Sequence, residues 1–274
     1  MKKITVITIN YNNLQRLRRT IPSVLSQTFT DYEYVVVDGG STDGSKEYIE
    51  SQKGIDQWVS EKDGGIYNAM NKAVGMASGE YCIFMNSGDH FFSSRSLEDA
   101  AAELDGTDYC TGQTVVVDDD YVSLCLPPQQ MSSYFIKGTS LQHQSSFIKT
   151  SLLREHPYDE TLKIVADWAH FLEWWTKGEC SYKALTTIVA TYYLDGYSAQ
   201  NVDLLNKERT QVITRLFGSV DKMPVSKETK EQKRERMDDK LQFKLRNAMR
   251  MKPLQRDLKI MRNGLKFFFR DLFS

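Results

Sequence analysis

The sequence predicts an α/β protein with an open, mostly parallel sheet that is covered by helices on both faces. Within residues 1–90, four short runs of apolar and β-branched residues alternate with segments of helical periodicity. Such alternation is typical of parallel strands joined by crossover helices. The chain has 274 residues, of which 41% are hydrophobic and 26% charged, so it can bury this core without a disulfide or metal.

The first half of the chain carries the regular part of the pattern. We expect strands at residues 4–9, 34–37, 57–60 and 81–85. The segments between them predict helices at residues 14–27, after Ser45 and at 66–77. Pro22 lies inside the first of these helices and predicts a kink or a break there, because proline removes a backbone donor.

The second half is less regular. Residues 109–117 and 121–126 read as a strand and its return across a turn at 118–120, and 145–148 and 185–194 read as further strands. A loop is expected at 127–142, which holds two prolines. An aromatic-rich helix is expected at 165–177, and the chain reads as mostly helical from residue 202 onwards.

Polar residues follow each of the first four predicted strands. In open parallel sheets, ligands bind in the crevice beyond the carboxyl ends of the strands. The candidates that this rule places in the crevice are Asn10, Asn12, Asp38, Asp63, Asn86 and Asp89.

Composition excludes several classes of protein. The cysteines form no C-x-x-C pair and match no zinc spacing, so free buried thiols in a reducing cytoplasm are expected. No run of about 18 apolar residues predicts a spanning helix. The N-terminal apolar run is short and continues into asparagines, which favours a first strand over a signal peptide.

The net charge of −1 hides an asymmetry between body and tail. Residues 227–274 hold 15 basic and 7 acidic side chains, a net of +8, which leaves residues 1–226 at −9. In the tail, apolar residues at helical spacing form one stripe flanked by lysines and arginines: Leu254, Leu258, Met261, Leu265, Phe268 and Leu272. The stripe predicts either contact with an anionic membrane surface or docking on the body or a second subunit. Nucleic acid is a poorer partner, since no recognition fold accompanies the charge.

Five sequence blocks carry a family resemblance. ITVITINYN, VVVDGGSTDGS, SEKDGGIYNAMNKAV, YCIFMNSGDHF and VADWAHFLEW occur in this order, the first four each at a predicted strand and the last at the start of a predicted helix. Together they resemble the family 2 inverting glycosyltransferases, in particular the bacterial exopolysaccharide and colanic-acid type, over roughly residues 3–200. The resemblance implies a GT-A fold in residues 1–218, followed by a basic amphipathic helical extension at 219–274.

The resemblance also implies which residues bind a nucleoside-diphosphate sugar. Asp38 would accept a hydrogen bond from the nucleobase or ribose, although an Asx turn or helix cap also fits it. Asp63 would face uracil, with a plain turn as the alternative, and Asp43 fits a helix cap better than a ligand contact. The implied nucleotide-sugar-binding set is Ile9, Tyr11, Asp38, Asp63, Asn71 and Asn86.

The segment at residues 86–89 occupies the place of the family's metal-binding DxD motif. Asp89 matches the acid that binds a divalent cation, Mg²⁺ or Mn²⁺, between the protein and the donor diphosphate. The leading acid of the motif is Asn86 in this chain, which supplies no charge. We therefore expect one anionic ligand and a weakly held metal.

Asp167 matches the family's catalytic base, where Ala166 replaces the usual glutamate. It would take the proton of the acceptor hydroxyl while that oxygen attacks the anomeric carbon; a helix N-cap is the alternative. His143, Trp168 and Ser198 resemble weaker acceptor or phosphate contacts. A structural histidine and a core tryptophan are the alternatives for the first two.

The resemblance implies transfer of a sugar from a nucleoside-diphosphate sugar, foremost a UDP-sugar, to a hydroxyl of a glycan or lipid-linked acceptor. Such an enzyme of surface polysaccharide synthesis is expected in the cytoplasm, peripheral to the inner face of the cytoplasmic membrane. A non-catalytic sugar-nucleotide-binding or scaffold protein is the alternative, which the Asn86 and Ala166 departures favour. A nucleotidyltransferase fits less well, because no Gly-rich, basic loop follows the first strand.

Overall fold

A computed structural model describes residues 2–118, 121–194, 200–219 and 222–223. The chain divides into two compact units, one of residues 1–117 and 123–224 and one of residues 118–122 and 225–274. Most of the second unit, including the amphipathic stripe at 254–272, lies outside the described residues. The domain boundary at residue 218 remains a prediction.

The described chain alternates strands and helices in the order β1–α1–β2–α2–β3–α3–β4–β5–α4–β6–β7–α5–β8–α6–α7–β9–α8. The strands are β1 Ile4–Asn10, β2 Tyr32–Asp38, β3 Gln57–Ser60, β4 Tyr81–Phe84, β5 His90–Phe91, β6 Tyr109–Val117, β7 Val122–Cys125, β8 Ser146–Lys149 and β9 Tyr182–Tyr193. The helices are α1 Leu14–Leu25, α2 Ser45–Ser51, α3 Ile66–Met76, α4 Ser96–Glu103, α5 Ser133–Gly138, α6 Thr150–Glu155, α7 Ala166–Lys177 and α8 Val202–Phe217.

The strands form one mixed sheet in the order β3-β2-β1-β4-β8-β6-β9-β5, and β7 pairs with β6. The first four strands in this order are parallel, as predicted. The second half adds antiparallel strands: β8 runs against both β4 and β6, and β5 runs against β9. Strand β9 therefore lies between two strands that precede it in the chain.

Side chains of each central strand alternate between two cores. In β1, Ile7 and Ile9 face a core that includes residues of α3, α6, α7 and α8. Ile4 and Val6 face the other core, which includes residues of α1, α2 and α4. The period of two along a strand explains the division. Helices therefore cover both faces of the sheet, which confirms the predicted fold class.

The expectation of a break at Pro22 is wrong, and so is that of a loop throughout residues 127–142. Helix α1 is not broken at Pro22, which lies on its exposed face while Ile21 and Val24 beside it are buried. The backbone carbonyl that proline leaves without a helical partner can bind water there. The segment at 127–142 is also not all loop, since it contains α5, where the Ser132 hydroxyl accepts a hydrogen bond from the backbone N–H of Phe135 at 3.2 Å.

The four cysteines are free thiols, as predicted. Within the described parts of the chain, no helix combines the length and the apolar character that a membrane span needs.

Candidate active site

The carboxyl ends of the parallel strands meet at one edge of the sheet. Asn10 at the end of β1 pairs in register with Asp38 at the end of β2, and Asp38 pairs with Ser60 at the end of β3. After β4, the backbone N–H of Ser87 donates to the carbonyl of Ile9 at 3.2 Å. The carboxyl ends of β1, β2 and β4 therefore lie side by side, and the predicted crevice residues are located at or just after these ends.

Asp38 is fully buried, and its carboxylate organises the loop that follows β2. One oxygen accepts from Asn10 Nδ2 at 2.8 Å and from Ser41 Oγ at 2.6 Å, and the other accepts from Ser41 N at 2.9 Å and Ser60 Oγ at 2.7 Å. Burial alone would raise the pKa of this carboxyl, but these hydrogen bonds outweigh it and hold the pKa below its usual value. The turn reading of Asp38 thus has direct geometric support.

Asp43 acts as a cap for two helices. Its carboxylate accepts from Leu14 N, at the start of α1, at 2.8 Å, and from Ser45 N, at the start of α2, at 3.1 Å. One exposed side chain thereby fixes two helix N-termini beside the crevice.

The side chains of Tyr11 and Asp63 both lie close to Gly39, near the position that a Cβ of this residue would take. A Cβ built on Gly39 would lie 2.7 Å from Asp63 Oδ2 and 3.2 Å from Tyr11 Cδ2, so any larger residue at this position would displace these two side chains. The Tyr11 ring is 66% exposed, and Asp63 is half-buried. The exposed ring can stack on a planar base, and the carboxylate can accept a hydrogen bond from an N–H of the same base.

Two other predicted nucleotide contacts point elsewhere. Ile9 is 5% exposed and packs in the core that includes α3 residues. Asn71 is engaged with the segment before α7: it donates to the carbonyl of Tyr158 at 2.9 Å and accepts from the backbone N–H of Tyr158 at 2.9 Å. The structure therefore does not bring these two side chains to Tyr11 and Asp63.

Asn86 and Asp89 follow β4 in a loop that Thr20 of α1 holds. The Thr20 hydroxyl donates to the carbonyl of Asp89 at 2.7 Å and accepts from the backbone N–H of Gly88 at 2.9 Å. Asn86 Oδ1 is buried and has no hydrogen-bond partner among the residues that the structure describes.

His143 lies between this loop and Asp167. Its Nε2 is 3.3 Å from Asn86 Nδ2, and its Nδ1 is 3.5 Å from Asp167 Oδ2. Burial lowers the pKa of the imidazole, but the hydrogen bond and charge of Asp167, with the charge of Asp89, outweigh burial and raise it. The predicted phosphate or acceptor histidine thus joins the Asn86 loop to the predicted base.

Asp167 lies in the first turn of α7, and its side chain is 19% exposed. Tyr67 of α3 donates its hydroxyl to Asp167 Oδ1 at 3.0 Å and to the carbonyl of Ile164 at 2.6 Å. Burial favours the neutral acid, yet His143, the Trp168 backbone N–H and Tyr67 hold the pKa of Asp167 below its usual value. The carboxylate is therefore ionised at neutral pH and can accept a proton.

Trp168 and Ser198 complete the predicted set. Trp168 is 4% exposed, and its indole N–H donates to the carbonyl of Ile136 at 2.7 Å, as expected of a core tryptophan. Its ring, together with Phe135, Leu141 and Phe171, lines a small apolar cavity beside Asp167 and His143. Ser198 lies outside the described residues.

Three residues around Asp167 and the start of α7 were not found from the sequence. Tyr67 lies within a recognised block, but its hydroxyl contact depends on the packing of α3 against the start of α7. Glu208 and Arg209 lie on α8, where no motif marks them. Glu208 accepts hydrogen bonds from the backbone just before α7, and the Arg209 guanidinium lies 5.1 Å from the centre of the Trp168 ring.

Comparisons with known proteins identify the family and the fold. Residues 5–155 match the family model described as glycosyl transferase family 2. Proteins named uncharacterized glycosyltransferase from two Mycobacterium tuberculosis strains are 33% identical over 172 residues, which are 60% of this chain and 65% of each relative. The chain thus spans slightly less than two thirds of those relatives.

Two Staphylococcus aureus proteins are also similar. The poly(ribitol-phosphate) beta-N-acetylglucosaminyltransferase TarP is 36% identical over 105 residues, 36% of this chain and 32% of TarP. The crystal structure of TarS residues 1–349 in complex with UDP-GlcNAc has a TM-score of 0.63 at 18% identity, over 95% of this chain and 79% of that one. The structural likeness shows the GT-A fold. Because the family model covers more than half of the sequence, the chain belongs to glycosyl transferase family 2.

Proposed function

We propose that the protein transfers a sugar from a nucleoside-diphosphate sugar to a hydroxyl of a glycan or lipid-linked acceptor, with inversion, in surface polysaccharide synthesis. The observation that carries the proposal is the placement of Asp167. The ionised carboxylate of Asp167 contacts one nitrogen of the His143 ring, and the other ring nitrogen contacts Asn86. Asn86 follows β4, at the edge of the sheet where the carboxyl ends of the parallel strands lie. That edge is where open α/β sheets bind ligands.

The donor would bind beside Gly39. The exposed Tyr11 ring and the Asp63 carboxylate both lie close to Gly39, which brings a stacking surface and a hydrogen-bond acceptor to one place. Uracil offers one planar face for the ring and one N–H for the carboxylate. TarS, whose fold this chain shares, was solved with UDP-GlcNAc, which supports a UDP-sugar as the first donor to test.

The reaction would proceed by a single displacement. Asp167 takes the proton of the acceptor hydroxyl while that oxygen forms a bond to the anomeric carbon. The bond from that carbon to the diphosphate breaks on the opposite face, and the diphosphate leaves with the electron pair. The product has inverted configuration, and no covalent sugar–enzyme intermediate forms.

A divalent cation fits the loop after β4 if the donor supplies most of its ligands. The described part of the chain contains no group of three or more His, Cys, Asp or Glu side chains that could hold a metal ion. Mg²⁺ commonly takes one or two carboxylates with phosphate oxygens and waters, so Asp89 and the buried Asn86 Oδ1 fit such a shared site. The cation would neutralise charge on the leaving diphosphate.

Asp89→Asn is expected to abolish most turnover that depends on a divalent cation, because it removes the charge that draws the cation to the diphosphate. EDTA should have the same effect on the wild-type protein, and added Mg²⁺ or Mn²⁺ should restore only the wild type. Asp99→Asn on α4 is the matched control, since Asp99 pairs with Arg95 at the surface. Full wild-type turnover in EDTA would contradict the shared cation site.

The transferase is tested with a panel of nucleotide sugars, read as nucleoside diphosphate released with and without divalent cation and with glycan and lipid-linked acceptors. We expect release that depends on an acceptor and is highest with a UDP-sugar. A non-catalytic sugar-nucleotide-binding protein would bind a member of the panel and release nothing. The Asn86 and Ala166 departures favour that second candidate, whereas Asp89 and Asp167 favour the enzyme.

We further propose that residues 254–272 bring the enzyme to an anionic membrane surface, where lipid-linked acceptors lie. The support is the apolar stripe flanked by Lys259, Arg262, Lys266 and Arg270. The full chain should co-sediment with liposomes that contain anionic lipid and be released by salt, because each cation near such a surface contributes about 1 kcal/mol. Replacing those four cations by glutamine should abolish co-sedimentation. Equal co-sedimentation of the two chains would leave docking on the body or a second subunit as the role of the stripe.

A further inference from the structure

We infer that Glu208, on helix α8, is a positioning residue that sets the place of Asp167 by holding the backbone just before α7. The inference rests on the proposed role of Asp167 as the base. Like Asp167 itself, Glu208 lies beyond the part of the chain that the family model matches, residues 5–155.

The contacts of Glu208 all go to three consecutive peptide N–H groups. Oε1 accepts from Lys163 N at 2.8 Å, and Oε2 accepts from Ile164 N at 2.9 Å and from Val165 N at 3.3 Å. Glu208 is 5% exposed. A buried carboxylate is costly unless it is hydrogen-bonded, and these donors satisfy both of its oxygens.

One of these three N–H groups, that of Val165, belongs to the N-cap of α7. The helix begins at Ala166, and Val165 at its N-cap makes no side-chain cap hydrogen bond. Unpaired N–H groups and the helix dipole make this end positive, so an anion beside it is stabilising. Glu208 places its carboxylate there from 43–45 residues further along the chain.

The same short segment also positions Asp167 through Tyr67. The Tyr67 hydroxyl contacts both the Ile164 carbonyl and Asp167 Oδ1. Glu208 therefore accepts a hydrogen bond from the backbone N–H of Ile164. Tyr67 donates to the backbone carbonyl of the same residue and also contacts the proposed base, Asp167. A shift of about 1 Å in a reacting group can lower the rate about 100-fold, so the position of this segment bears directly on transfer.

A matched residue separates positioning from simple stabilisation. Glu33, at the beginning of β2, is also 5% exposed and accepts from the backbone N–H groups of Ser78 and Gly79 and the hydroxyl of Thr5. It lies at the end of β2 opposite Asp38. Glu33→Gln therefore removes a buried carboxylate of the same kind without touching the surroundings of Asp167.

The first test follows the carboxyl titration of Asp167 by ¹³C NMR, with the signal assigned by its absence in Asp167→Asn. In Glu208→Gln, loss of the negative charge alone would lower the pKa of Asp167. Loss of positioning loosens the contacts of Asp167 with His143, Tyr67 and the Trp168 N–H, and these contacts hold the pKa down. We therefore expect a rise of about half a pH unit or more, with no change in Glu33→Gln. An unchanged or lower pKa in Glu208→Gln would overturn the inference.

If Glu208→Gln does not fold, Glu208→Asp carries the same test, because it keeps the charge and withdraws the carboxylate from the N–H groups. The second measurement is the split between kcat and KM for UDP-GlcNAc or whichever nucleotide sugar the panel selects. We expect kcat to fall about tenfold or more, with KM for the donor and UDP binding within about twofold of wild type. A fall no larger than that of Glu33→Gln at the same loss of Tm would overturn the inference. If no donor is turned over, the titration still decides the positioning, while the proposed function alone fails.

Discussion

Asp167→Asn is expected to bind a UDP-sugar as tightly as the wild type and to transfer it about 10²–10⁴-fold more slowly, the usual contribution of a general base. Asparagine keeps the size of the side chain and can still accept the hydroxyl hydrogen bond of Tyr67. It cannot take a proton. Binding and transfer should therefore separate, which distinguishes a catalytic group from one that holds the fold.

The measurement combines calorimetry with UDP, which reports donor binding, with initial rates of transfer at saturating donor. Glu173→Gln is the matched control, because Glu173 lies on the same helix and pairs with Lys177 at the surface. Transfer by Asp167→Asn at the wild-type rate would mean that another group removes the acceptor proton. A parallel loss of UDP affinity would instead assign Asp167 to the donor site.

Asp38→Ala is expected to lower the free energy of unfolding by about 3–5 kcal/mol and to weaken donor binding. The substitution leaves the donors of Asn10, Ser41 and Ser60 without their acceptor. Because Asp38 is fully buried, water does not replace the lost hydrogen bonds without opening the loop. The loop that carries Gly39 would lose its fixed shape, and with it the place of Gly39 beside Tyr11 and Asp63.

Urea unfolding and UDP calorimetry measure the two effects of Asp38→Ala. Asp43→Ala, in the same loop, removes only an exposed cap and should cost about 1 kcal/mol. Asp38→Asn keeps the shape and removes the charge, so it reports how much of the effect is electrostatic. Wild-type stability with lost UDP binding would show that Asp38 contacts the nucleotide directly and does little for the loop.

Sequence periodicity identified the parallel half of the sheet well, because β1, β2 and β4 are buried on both faces and have clear apolar runs. The predicted strand at 57–60 coincides with β3, and the strand at 109–117 coincides with β6. The short helices α4, α5 and α6 were missed, since six to eight residues give too few turns for a period to emerge. Their position is fixed by tertiary packing, which a local pattern does not record.

In the candidate site too, some residues could be predicted from local sequence and others depend on tertiary contacts. Acids at strand ends were predictable as candidates, but the sequence could not show that Asp38 already has four hydrogen-bond donors. Glu208 could not be found at all, because its partners are backbone N–H groups, which every residue except proline has. A contact of that kind leaves no mark on the amino acids at 163–165.

The position of β9 has a consequence for how the protein is made. β5 and β6 both pair with β9, which follows them in the chain. These two strands therefore cannot complete their pairing until β9 has been synthesised. About 100 residues separate Phe91 from its partner Ala190, and at about 5–20 residues per second the ribosome needs about 5–20 s to produce them. From the time β6 is made until β9 follows, the nascent chain presents one long side of β6 without its partner, to which chaperones or a neighbouring chain can bind. Slow codons between the two positions would lengthen this exposure, so expression hosts and codon choice bear on the yield of folded protein.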